Sequence, residues 1–102
     1  MPLFPVPESQ LPKEGLGVRV PCGARDVALF RLNGELRAIE DVCPHAGAPL
    51  HDGWTEGNSV MCPLHGWMFD TRTGACETSP GWDVATFAVK IEDGSVSVEV
   101  PE

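Results

Sequence analysis

Apolar and polar residues alternate most regularly near the end of the chain. In Thr86–Glu92, Phe87, Val89 and Ile91 alternate with Ala88, Lys90 and Glu92. In Ser95–Val100, Val96, Val98 and Val100 alternate with Ser95, Ser97 and Glu99. A period of two gives a strand one buried face. The intervening Asp93-Gly94 predicts a two-residue hairpin. Val27–Leu32 and Glu35–Glu40 flank Asn33-Gly34, the strongest short hairpin signal. Leu16–Val20 reads as a further strand. Ser59–Cys62 and Trp67–Asp70 read as short strands of a middle hairpin, and Thr73-Gly74 marks another turn. Ten prolines and eleven glycines interrupt every long helical window. The pattern predicts an all-β fold, a small antiparallel sandwich or barrel with a loop-built site at one end.

Length and charge narrow the partners. A chain of 102 residues with 42% hydrophobic content predicts one domain over 1–102 with a modest core. The part from about 41 to 82 is inserted in the β base. Seven Lys and Arg stand against fifteen Asp and Glu, a formal charge of -8. Nucleic-acid binding needs clustered basic residues, and anionic membranes attract them, so both are excluded as partners. An acidic surface suits a basic patch on a partner protein. The opening MPLFPVPESQLPKEG lacks a basic start and an apolar run, so no signal peptide is expected. No run of about 18 apolar residues is present, so no membrane span is expected. The expected location is the cytoplasm.

The chemistry is concentrated in CPHAGAPLHDGWTEGNSVMCPLHGW. It holds all three histidines and two of the four cysteines. One residue separates Cys43 from His45, and two residues separate Cys62 from His65. Two thiolates and two imidazoles satisfy zinc tetrahedrally. They equally complete a [2Fe–2S] cluster with two Cys on one iron and two His on the other. Zinc fingers usually pair like with like. Here each loop supplies one Cys and one His, the arrangement that a binuclear cluster with chemically different ends requires.

CPH followed by CPLHGW resembles the Rieske motif C-x-H…C-x-x-H, and AGAPL, DGW and FDTRTG resemble its connecting pieces. The resemblance covers about 33 to 80. It implies a Rieske-type fold whose cluster-binding loops form a subdomain at one end. It also implies one [2Fe–2S] cluster, with Cys43 and Cys62 on the inner iron and His45 and His65 on the outer. Gly47 and Gly66 would let backbone approach the sulfurs, and Ser79-Pro80-Gly81 resembles the family's covering loop. The branch in respiratory and photosynthetic cytochrome complexes carries a loop disulfide; here those positions are Ala48 and Leu64. Its hydroxyl donors to the cluster sulfurs are absent too: Trp67 replaces the Ser, and the chain has no Tyr. The expected potential therefore lies toward the low end of about -150 to +300 mV.

Other residues carry blander expectations. Trp54, Trp67 and Trp82 are expected near the loops, each as core packing. Cys22 and Cys76 are expected as free, partly buried thiols, and His51 as an exposed loop residue. With two histidines assigned, His51 alone cannot build the two-His, one-carboxylate iron site of an oxygenase. No G-x-G-x-x-G marks a dinucleotide site. The resemblance thus implies an electron-transfer protein and not an enzyme by itself. It would be a ferredoxin, monomeric when free, working between a flavin-dependent reductase and a terminal oxygenase of a ring-hydroxylating dioxygenase system. The alternative is the small subunit of a larger oxidoreductase such as NADH-dependent nitrite reductase, partnered by its large subunit. A third reading is a non-redox interaction module with structural zinc.

Overall fold

The computed structural model describes residues 2–45, 47–64 and 66–101. Among them the elements are β1 (Leu3–Val6), β2 (Gly17–Cys22), β3 (Arg25–Leu32), β4 (Glu35–Glu40), β5 (Trp54–Glu56), β6 (Ser59–Met61), β7 (Met68–Asp70), β8 (Thr86–Glu92) and β9 (Ser95–Glu99). Two single-turn 3₁₀ segments, Glu8–Gln10 and Leu50–Asp52, complete them. The first sheet runs β1-β9-β8-β4-β3-β2 and is nearly closed into a barrel. The second runs β5-β6-β7. All strand pairs are antiparallel.

The two predicted hairpin turns form as their residues dictate. Asn33 and Gly34 have φ of 54° and 78°, and Asp93 and Gly94 have 50° and 80°. Paired left-handed residues twist the turn to match the strands. The Glu14 carboxylate accepts from the Asn33 and Gly34 N–H groups, both at 2.8 Å, and holds the first hairpin tip.

β3 is apolar on both faces because it separates two cores. Val27 and Leu29 point into the barrel with Val6, Val20, Phe87 and Val98. Ala28, Phe30 and Leu32 point the other way, against Leu50, Val60 and Phe69 of the inserted segment. The outer core contains Cys43 and Cys62. Gly17 in β2 permits this approach: a Cβ there would stand 2.5 Å from the Phe30 ring and 3.0 Å from the His51 carbonyl.

Some expectations change. β1 was not visible in the alternation, because Pro5 interrupts it; it survives as a sheet edge, where a missing N–H is tolerated. Ile91 shares the buried-face register but is 62% exposed: β4 pairs β8 only at Thr86 and Phe87, so the far end of β8 has no strand beside it, while Val96 opposite stays buried under β1. Trp54 and Trp82 are not core residues, at 69% and 45% exposed. His51 is not an exposed loop residue: its side chain keeps 20% of its accessibility and is paired. Cys22 and Cys76 are free thiols and buried outright, at 2% and 6%. Burial pushes the Cys22 thiol pKa up, and the nearby Asp26 charge adds to this.

Candidate metal centre

The two ligand-bearing loops have the same backbone construction. In the first, the Cys43 N–H donates to the Ala48 carbonyl at 2.8 Å, and the Gly47 N–H donates back to the Cys43 carbonyl at 2.7 Å. In the second, the Cys62 N–H donates to the Trp67 carbonyl at 2.7 Å, and the Gly66 N–H donates back to the Cys62 carbonyl at 3.0 Å. Each loop therefore closes five residues after its Cys and turns on a glycine four residues after it. Gly47 and Gly66 have φ of 71° and 72°. Left-handed backbone of this kind penalises a Cβ. The glycines are thus required by conformation. Crowding is not the reason at Gly47, where a Cβ would meet no atom within 4 Å.

The repeated construction places two thiols alike. Cys43 and Cys62 are both fully buried at the same core. His45, two residues after Cys43, is exposed. The first loop thus offers a thiol inward and an imidazole outward. His65, the fourth predicted ligand, lies outside the described residues. Among the described residues, no three His, Cys, Asp or Glu side chains gather as a site for a single metal ion. Soft anionic sulfur inside and neutral nitrogen at the surface is the donor set that a [2Fe–2S] cluster with inequivalent irons requires, so the residues present fit that group.

Two aromatic rings contact the histidine. Trp67 stacks on His45 with centroids 4.2 Å apart and planes 12° apart. Trp82 meets Trp67 edge-on at 5.7 Å and His45 at 6.5 Å. Trp82 follows Ser79-Pro80-Gly81, so the third loop reaches the site through its indole. The same segment is tied down where the Ser79 N–H contacts the Cys76 sulfur at 3.4 Å and the Cys76 N–H donates to Asp83 at 2.9 Å. Trp54 takes no part in these contacts.

Sequence reading missed one cluster beside the first loop. The Asp41 carboxylate, with no side-chain exposure, accepts from the His51 backbone N–H at 2.8 Å, His51 Nδ1 at 2.7 Å and Arg19 Nε at 2.7 Å. His51 Nε2 lies 3.2 Å from Asp52. No spacing rule links an Arg, an Asp and a His separated by 22 and 10 residues.

Comparison with known proteins gives consistent matches. A model of the Rieske [2Fe-2S] domain matches residues 3–88. The anthranilate 1,2-dioxygenase ferredoxin subunit of Burkholderia cepacia is 40% identical over 79 residues, covering 76% of this chain and 73% of that protein. A chain in the complex of reduced oxygenase and oxidized ferredoxin in carbazole 1,9a-dioxygenase superposes with a TM-score of 0.78 at 34% identity, covering 85% of this chain and 91% of that one. A chain named as the small subunit of NADH-dependent nitrite reductase from Mycobacterium tuberculosis gives 0.82 at 27% identity, covering 92% and 90%.

Proposed function

Because the chain belongs to the family of Rieske [2Fe–2S] domains, we propose that it is a one-electron carrier between a flavin-dependent reductase and a terminal oxygenase of the ring-hydroxylating type. The observation that carries this is the pair of like-built loops, each setting one cysteine into the core. We assign Cys43 and Cys62 to the inner iron and His45 and His65 to the outer one, within a single domain over 1–102 whose cluster-binding part spans about 41–82. The family's cluster supplies one chemistry, the acceptance and return of a single electron.

The chain's own residues do the rest. The buried cysteines keep water from the inner end. The exposed His45 edge gives a port at the surface, and Trp67 fixes its ring plane. Two relatives are named as components of dioxygenase systems, one of them beside its oxygenase, which favours an oxygenase as electron acceptor. We place the protein in the cytoplasm, monomeric when free.

The test is anaerobic reduction by such a reductase with NADH, followed by mixing with the terminal oxygenase. One electron per chain taken up and then passed on is the expected result. A loaded protein that exchanges no electrons with either partner contradicts it. The nitrite reductase likeness carries a second reading, a fixed subunit; stoichiometric co-purification with a large oxidoreductase subunit would establish that one instead.

A further inference from the structure

The Asp41 cluster lies outside the ligand set, yet it closes the loop that carries half of that set. Asp41 stands two residues before Cys43, and His51 lies in the 3₁₀ turn just after the loop. Their two hydrogen bonds join the start of the loop to its end. Arg19 adds the third bond from β2, so the same carboxylate fastens the loop to the barrel wall. A carboxylate with no exposure is costly unless its lone pairs are taken, and three N–H donors from two elements take them here. Asp26 also faces Arg19 at 4.0 Å, so Arg19 is not neutralised by Asp41 alone.

We propose that Asp41, His51 and Arg19 form a clamp that sets the position of the first ligand loop and the charge behind it, making them positioning residues for Cys43 and His45. The proposal rests on the ligand assignment above. Its consequences are distinct from those of general packing. Removing either donor would leave a buried anion less compensated at the start of the loop that would hold the cluster. The reduced, more negative cluster is then disfavoured, and the midpoint potential falls. A loosened loop also releases iron faster. Because both donors act through one carboxylate, their effects are coupled.

The experiment uses the loaded protein and four variants: His51→Leu, His51→Asn, Arg19→Met, and His51→Leu with Arg19→Met. Asp41 itself is left intact, since an unsatisfied core there risks the fold. Two readouts are taken: the rate at which visible absorbance is lost to an iron chelator, and the midpoint potential. His51→Leu should speed cluster loss by about tenfold, the scale of one charge-assisted hydrogen bond, and lower the potential. His51→Asn restores a donor and should recover most of both. The double variant should depart from the product of the single effects. Unchanged loss rates and potentials in both single variants would overturn the clamp. So would faster loss without a potential shift, or independent effects in the double variant. Failure of the parent protein to bind a Rieske cluster at all would instead overturn the ligand assignment.

Discussion

At the scale of single residues, the site depends on what each side chain can do at its depth. Cys43 and Cys62 are sealed, so as the proposed inner ligands their thiolates would be shielded from water. His45 is exposed but held by a near-parallel indole. Replacing His45 by Ala should abolish the cluster, since a ligand and its loop anchor are lost together; visible absorption and iron content check this. Trp67→Ala should keep all ligands and lose a ring stack of about 0.5–1.5 kcal/mol, seen as a lower thermal midpoint of the loaded protein. The four proposed ligands were legible in the sequence because their spacing is local. The surroundings of His51 were not, because its partners Asp41 and Arg19 meet it only through the fold. The exposure of Trp54 and Trp82 was also hidden, since an indole's size suggests a core that 102 residues cannot extend to every aromatic.

At the scale of elements, the two loops repeat one hydrogen-bonding scheme around a left-handed glycine. Gly47→Ala and Gly66→Ala should therefore cost alike, about 1–2 kcal/mol each, measured by denaturant unfolding. A large difference between them would mean that the loops are not equivalent. On the turn after β7, Arg72 bonds the Asp70 carboxylate through its side chain and backbone and holds its pKa below the ordinary carboxylate range. A carboxylate lowered on folding adds stability above its unfolded pKa, and this is lost as pH falls through the folded one. Arg72→Ala should thus be less stable than the parent at neutral pH, with the gap closing in acid; unfolding curves across pH check the sign. The hairpins at Asn33-Gly34 and Asp93-Gly94 were readable because turn chemistry is local. β1 and β5 were not: Pro5 disguises an edge strand, and Trp54–Glu56 has one apolar residue where Ser59–Met61 and Met68–Asp70 each have two.

At the scale of the whole molecule, the barrel is a support, and the loops packed beside the three-stranded sheet hold the proposed ligands. The double-sided burial of β3 joins them through one strand, which is why its apolar run is continuous and why alternation alone understated its role. Charge acts at this scale too. With a formal -8, encounter with a basic partner surface should slow as ionic strength rises. Stopped-flow transfer rates at increasing salt test this, and a rate that does not depend on salt argues against electrostatic docking. Two cysteines and two histidines are proposed to hold a binuclear iron–sulfur centre. EPR of the dithionite-reduced protein, with metal analysis of the same sample, decides between this and a single-metal site. A rhombic signal with about two irons per chain is the predicted result. An EPR-silent protein containing one zinc would contradict it.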